Sequence, residues 1–147
     1  DVEARSMMLV ASTMGATAFQ KGLGAMHALA HPIGAIYDLH HGTLNAILMP
    51  YVLQANREKI SSILERLGMY VGIDHSSFEK FLHWILKLRH DIGIPETLMN
   101  LGIDLSRTKE IGEMTFRDPS SLTNPILFSS SDYESIFRNS ILGNLDF

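Results

Sequence analysis

Four histidines lie close together in this chain, at a spacing that suits metal ligands. His27 and His31 are four residues apart, so on a helix they share one face and both imidazoles can face a single cavity. The adjacent pair His40 and His41 follows after Pro32, which favours a change in chain direction toward the first pair. Neutral imidazole binds divalent transition metals strongly, and the chain has no cysteine to compete. The stretch therefore predicts part of a metal site.

Only one residue of the pair His40 and His41 is expected to bind the same ion. If the backbone between them is extended, their side chains point in opposite directions. The spacing alone does not say which of the two it is. A second interpretation of His27 and His31 also stands at this point, in which both are buried histidines that hydrogen bond to carbonyl groups and bind nothing.

The residues from 19 to 56 resemble the metal-binding signature of the iron-containing alcohol dehydrogenase family. The shared residues, in chain order, are Gly22-Leu23-Gly24, His27, His31-Pro32, His41-Gly42 and Asn45-Ala46. A weaker similarity continues toward the end of the chain, through Asp118-Pro119 and Asn124-Pro125. The order and density of the matching residues make this pattern far more specific than a single pair of histidines.

The resemblance implies a role for each of several residues. His27 and His41 are expected to bind the metal, and His31 is expected to lie beside them and face the nicotinamide. As a hypothesis, His31 assists the movement of a proton from the alcohol, which suits a group that titrates near neutrality. Phe19 and Leu23 correspond to positions that line the substrate channel in the family, with ordinary core packing as the alternative.

The function implied by the resemblance is that of the C-terminal metal-binding portion of an NAD(P)-dependent alcohol dehydrogenase. Such an enzyme interconverts an alcohol and an aldehyde or ketone, with Fe(II) as the expected metal, although imidazole ligands also accept zinc. NAD or NADP would bind to the complete protein, which is expected to be a homo-oligomer. The resemblance places two further ligands and the nucleotide-binding domain upstream of Asp1, so we expect a truncated, inactive chain.

The composition of the chain argues against several other classes of function. The chain has 46% hydrophobic and 19% charged residues and a net charge of −4, without a run of like charge. These values are typical of a globular protein and argue against nucleic-acid or membrane partners. No signal peptide is recognisable, and the lack of cysteine is compatible with a cytoplasmic location. A non-catalytic helical module with a structural or interaction role is the alternative to the enzyme.

The fold is predicted to be all-α, with residues 1–147 as a single domain. The first helix is expected from about Val2 to Phe19, packed by neighbours on several sides because it is apolar nearly all round. A second helix should start near Gly24 and end or kink at Pro32. The third, from about Gly42 to Ala55, should stop at Asn56, which then caps the next helix. Its buried face is predicted to comprise Leu44, Ile47, Leu48, Tyr51 and Val52.

Two later helix starts are predicted from capping-box spacing, at Ser76 with Glu79 and at Ser131 with Glu134. The segment from 117 to 130 is expected to be a long loop, since it holds two prolines and many serines. If the domain normally packs against a further part of a longer protein, its helices should expose apolar surface. Self-association of the chain, or reliance on a detached partner segment, follows as an expectation.

Overall fold

The computed structural model describes residues 1–145, and all of the regular secondary structure in that range is helical. This confirms the all-α prediction. The α-helices are α1 (Val2–Ala18), α2 (Gly24–Tyr37), α3 (His41–Ala55), α4 (Arg57–Tyr70), α5 (Phe78–Asp91), α6 (Thr108–Arg117) and α7 (Ser130–Leu142). Short 3-10 helices lie at Phe19–Lys21, Leu98–Leu101, Leu105–Arg107 and Pro119–Thr123.

The main hydrophobic core lies between α2, α3, α6 and α7, which pack against one another. Its fully buried members include Leu29, Ile33, Leu44, Ile47, Leu48, Ile111, Phe137 and Ile141. A smaller cluster joins α4 to α5 through Ile60, Leu64, Phe78, Phe81, Leu82 and Ile85. Met49 and Leu53 of α3 pack against this smaller cluster, so α3 has a hydrophobic surface on both of its sides.

Helix α3 agrees closely with its prediction. All five residues of the predicted face are buried. The helix starts because His40, in extended conformation, accepts a hydrogen bond from the backbone N–H of Thr43 and so caps the first turn. It ends at Asn56, as predicted. The Asn56 side chain, however, does not cap α4; its amide donates to the Val52 carbonyl and to Asn124.

Of the two outcomes predicted for Pro32, an end or a kink of the helix, the structure excludes the end, because α2 continues through Pro32 to Tyr37. A proline inside a helix removes one hydrogen bond at a cost of about 3 kcal/mol. Leu29 and Ile33, on either side of it, are both fully buried, and their packing keeps the helix intact. The chain turns back at Asp38 instead, whose left-handed backbone (φ 51°, ψ 47°) ends α2.

Helix α1 forms where it was predicted, but the expectation that other helices surround it is wrong. None of its residues is buried, and its one extensive contact is with the 3-10 turn that follows it. Its apolar composition produces no burial because no other described α-helix packs extensively against it. None of the helices in the described part of the chain is long and apolar enough to cross a membrane.

The two predicted capping boxes are each displaced along the chain. Helix α5 is capped by Ser77 rather than Ser76, and α7 is capped by Ser129 rather than Ser131. In α7, Ser129 and Asp132 exchange the two hydrogen bonds of a capping box. Several serines compete for each cap position, and tertiary packing of the following apolar residues decides between them. The predicted loop also contains the 3-10 helix Pro119–Thr123.

The amino end of α2 is capped by residues far away in sequence. Its own N-cap residue, Leu23, has no side chain that accepts a hydrogen bond. Instead the Thr123 Oγ1 accepts from the Gly24 N–H and the Asn124 Oδ1 accepts from the Ala25 N–H, both at 3.1 Å. The segment 118–124, which we call the 118–124 turn, is thereby attached directly to the start of α2.

The glycines at 22 and 24 make this attachment possible. A Cβ at position 22 would lie 2.4 Å from the Cβ of Thr123, and one at position 24 would lie 3.2 Å from the Oδ1 of Asn124. Both residues also have positive φ, 97° and 70°, which other residues rarely adopt. The Gly-Leu-Gly pattern is therefore required for the close approach of the 118–124 turn to α2.

Replacement of Asn124 by alanine is expected to lower the free energy of unfolding by about 3 kcal/mol. The buried Asn124 amide bonds with Ala25, with both ends of the Asn56 amide, and with the Ile126 carbonyl. Its loss leaves several buried polar groups without partners. Urea unfolding followed by circular dichroism measures the change. The exposed Asn144→Ala serves as control, with a change within about 0.5 kcal/mol; equal losses in the two variants would contradict the prediction.

Candidate metal centre

Three histidine rings meet in one corner of the molecule, formed by α2 and the start of α3. The ring centroids of His27 and His41 are 5.2 Å apart, those of His31 and His41 5.5 Å, and those of His27 and His31 6.2 Å. Helical spacing brings His27 and His31 to the same face of α2. The turn at Asp38 returns the chain so that His41, the first residue of α3, comes to lie beside both of them.

The Nε2 atoms of His27 and His41 are directed at one shared point. Both lie within hydrogen-bond distance of a single atom, the Asn45 Nδ2, at 3.3 and 2.9 Å. An amide nitrogen carries two hydrogens and can donate one to each ring, so both Nε2 atoms keep their lone pairs. The same lone pairs are what an imidazole offers to a metal ion. The Asn45 Oδ1, on the other side of the amide, is buried without a hydrogen bond in the described structure.

Burial favours the neutral form of His27. Only 8% of its surface is exposed, and this burial, together with the neighbouring His41 and His31, lowers the pKa of His27 below the ordinary histidine value. The Leu23 carbonyl, one turn earlier on α2, opposes the shift without reversing it. Its Nδ1 makes no hydrogen bond of normal geometry in the described structure. A neutral ring is the form that binds a metal.

His31 has a different partner from the other two rings. Its Nδ1 lies 2.8 Å from the Oδ2 of Asp118, in the 118–124 turn. Its ring is stacked on that of His41, with an angle of 16° between the planes. Burial acts to raise the pKa of Asp118, but hydrogen bonds from His31 and from the Ser120 N–H outweigh it, and the pKa lies below the usual aspartate value.

The remaining predicted residues take varied positions. His40 points away from the three rings and caps α3 through its Nδ1. Phe19 is exposed, and its ring meets the ring of His27 edge-on at 5.6 Å between centroids. Leu23 lies instead along an apolar groove of about 460 Å³ between α2, α3 and α4. The structure thus places Phe19 beside the histidines and Leu23 on a neighbouring surface.

The donor set of this corner fits a divalent metal only in part. His27 and His41 supply two converging nitrogens, whereas a catalytic site normally has three or four protein ligands. Within residues 1–145, no group of three or more histidine, cysteine, aspartate or glutamate side chains is arranged to hold a metal ion. The described residues therefore provide only part of the ligand set of a catalytic metal site.

Sequence reasoning assigned no contact to two residues of the site, Asn45 and Asp118. Asn45 lies four residues after His41, so helical spacing alone is enough to place its amide beside that ring. Asp118 is 87 residues from His31 in sequence, and no local pattern links them. An Asp-Pro pair is typical of a helix start, and Asp118 does cap the 3-10 helix Pro119–Thr123.

Comparison with known proteins identifies the family of this chain. The family model described as Fe-containing alcohol dehydrogenase family, C-terminal, matches residues 1–141. The chain therefore belongs to the iron-containing alcohol dehydrogenase family and corresponds to its C-terminal part.

Individual relatives support this assignment. The 1,3-propanediol dehydrogenase of Klebsiella pneumoniae is 36% identical over 145 residues, which cover 94% of this chain and 38% of that protein. Alcohol dehydrogenase 4 of Saccharomyces cerevisiae is 31% identical over 141 residues, covering 94% of this chain and 37% of that protein. The chain thus spans less than two fifths of the length of these relatives.

A solved structure shows the same arrangement of helices. The iron-containing alcohol dehydrogenase from Thermococcus thioreducens superimposes with a TM-score of 0.86 at 25% sequence identity. The match covers 98% of this chain and 39% of that protein. The all-α fold is therefore that of one part of a larger dehydrogenase.

The stability of the chain is expected to fall as the pH drops below about 6.5, the ordinary histidine pKa. The pKa of His27 is lower in the folded state, so the unfolded state binds more protons in this range and acid favours unfolding. The stabilising contribution of neutral His27 is complete above about pH 6.5. It decreases as the pH falls further, until the pH is below the pKa of His27 in the folded state. Urea unfolding at several pH values measures the slope.

The variant His27→Gln cannot gain this proton, so its stability should depend less steeply on pH in the same range. His90→Gln replaces an exposed histidine on α5 and serves as the matched control, with the slope of the parent chain. Equal slopes for all three proteins would show that burial of His27 does not oppose its protonation.

Proposed function

We propose that this chain forms the metal-binding part of an NAD(P)-dependent alcohol dehydrogenase. In that protein His27 and His41 bind a divalent metal, and the reaction interconverts an alcohol and an aldehyde or ketone. The observation that carries the proposal is the convergence of the two Nε2 atoms on one point. Membership of the iron-containing family supports it. Relatives include proteins named for 1,3-propanediol, 4-hydroxybutyrate and methanol dehydrogenation, so the substrate class is small alcohols.

Each residue of the corner has a defined task in this proposal. When bound, the metal supplies a positive charge that polarises the alcohol oxygen. Burial lowers the pKa of His27 and so favours the neutral ring, whose lone pair can bind the metal. His31, partly exposed at the open side of the corner, faces the nicotinamide and the alcohol and assists proton movement. Phe19, whose ring meets that of His27, shields the site from water and borders the substrate.

The identity of the metal and cofactor follows from the family rather than from the donor atoms. We propose Fe(II) as the metal, and imidazole nitrogens also accept zinc. The hydride acceptor is NAD or NADP. The chain by itself is proposed to be inactive, because two converging donors are fewer than a catalytic metal site requires.

A chimera tests this proposal directly. This chain would replace the matching 145 residues of the Klebsiella pneumoniae 1,3-propanediol dehydrogenase, and alcohol-dependent reduction of NAD would be assayed with bound metal measured by elemental analysis. The chimera is expected to bind metal and to be active, while the isolated chain is not. His27→Ala and His41→Ala should each lose the metal and more than about 100-fold in activity, since even partners outside the ligand set cost about 10–100-fold.

Two further variants of the chimera separate the roles of neighbouring histidines. His31→Ala is expected to lower turnover much more than metal content. His40→Asn, which keeps a capping side chain at the start of α3, should leave both unchanged. A chimera that retains metal and activity after His41→Ala would contradict the assignment of that residue.

We further propose that the isolated chain self-associates through α1. This helix has no buried residue, and Met8 and Leu9 at its centre are 68% and 70% exposed. It carries no charged residue between Arg5 and Lys21. Two copies side by side in opposite directions would bury these apolar side chains and place the acidic start of one helix near Lys21 of the other.

Light scattering over a range of concentrations tests this association. The double variant Met8→Lys and Leu9→Lys is expected to shift the chain to a monomer, because burying the added charges is costly. Met69→Lys with Tyr70→Lys changes an adjacent exposed pair on α4 and should leave association unchanged. A monomeric parent chain at all concentrations would rule out the proposal.

A further inference from the structure

The contact between His31 and Asp118 determines which ring nitrogen of His31 carries its proton. A carboxylate only accepts hydrogen bonds, so the Nδ1 that lies 2.8 Å from the Asp118 Oδ2 must be the protonated nitrogen. In the neutral ring, Nε2 then keeps its lone pair. The carboxylate is mostly shielded from solvent, with 15% of the Asp118 side chain exposed, whereas 42% of the His31 side chain is exposed.

Asp118 is itself held rigidly. Its Oδ1 accepts a hydrogen bond from the Ser120 N–H at 2.8 Å, which leaves Oδ2 directed at His31. The same turn is bonded to the start of α2 through Thr123 and Asn124. His31 is on α2 as well, so the carboxylate and the imidazole are both attached to one helix.

A second contact limits the rotation of the His31 ring. The ring is stacked on that of His41, 16° from parallel. Only one orientation of the His31 ring satisfies both the hydrogen bond at Nδ1 and the stacking on His41. An ordinary surface ion pair, which contributes about 0–1 kcal/mol to stability, needs no such orientation.

We propose that Asp118 is a positioning residue that holds His31 as the Nδ1–H tautomer with the lone pair of Nε2 presented to the open side of the corner. For catalysis this inference rests on the proposed function, since it makes Nε2 the atom that His31 offers to substrate or nicotinamide. For the chain alone it is a statement about a tautomer and can be measured without metal or cofactor.

The experiment is long-range ¹H–¹⁵N correlation NMR of the labelled chain at about pH 8.5, two units above the ordinary histidine pKa. A protonated ring nitrogen and one with a lone pair have well separated ¹⁵N shifts. The His31 signals are assigned by their disappearance in His31→Asn. We expect the parent chain to show predominantly the Nδ1–H form of His31.

Two variants of Asp118 and one control make the result specific. Asp118→Ala removes the acceptor, and Asp118→Ser keeps a side chain that caps the following 3-10 helix but is too short to reach His31. Both are expected to shift His31 toward the Nε2–H tautomer. Asp104→Ala is the matched control, because Asp104 also caps a 3-10 helix through the N–H of a serine two residues later. It should leave the tautomer unchanged.

The proposal fails if the parent chain shows predominantly the Nε2–H form, or if Asp118→Ser keeps the Nδ1–H form. If Asp118→Ala does not fold, Asp118→Ser decides the outcome, since it retains the cap. An inactive chimera with a normal tautomer result would count against the proposed function and leave the role of Asp118 intact.

Discussion

The amino end of α2 has no capping side chain of its own, and the geometry of the site depends on how its free N–H groups are satisfied. Thr123 and Asn124 accept hydrogen bonds from Gly24 and Ala25. Because the first N–H groups of a helix have no partner within it, this contact attaches a distant turn to α2. It also brings Asp118, in the same turn, to the side of α2 on which His31 lies. One set of helix-capping bonds thus supports both the fold and the site.

The sequence predicts local features of the fold well and distant ones poorly. The buried face of α3 follows from a repeat of apolar residues at helical spacing, and all of it is buried. The turn at Asp38 depends on a left-handed backbone in a non-glycine residue, and the preference of aspartate for that conformation is too weak to predict it. Helix α1 shows the limit most clearly, because an apolar helix predicts a packing partner but does not identify that partner.

The candidate site shows the same contrast between local features, which the sequence predicts, and long-range contacts, which it does not. Four-residue spacing predicts that His27 and His31 share a face, and the family resemblance selects His41 over His40. The structure brings the three rings together. The contact of His31 with Asp118 could not be predicted, since it depends on the packing of α2 against the 118–124 turn. The identity of a single residue gives no information about which distant residue it contacts.

Helix α1 carries three of the six exposed methionines of this chain, which makes its surface sensitive to oxidants. The chain lacks cysteine, so thioether sulfur is its most readily oxidised group. Met7, Met8 and Met14 all lie on α1 and are exposed. Conversion of these side chains to the polar sulfoxide would change the character of an apolar helix without disturbing the buried core. Reducing storage conditions would therefore preserve the surface chemistry of this helix.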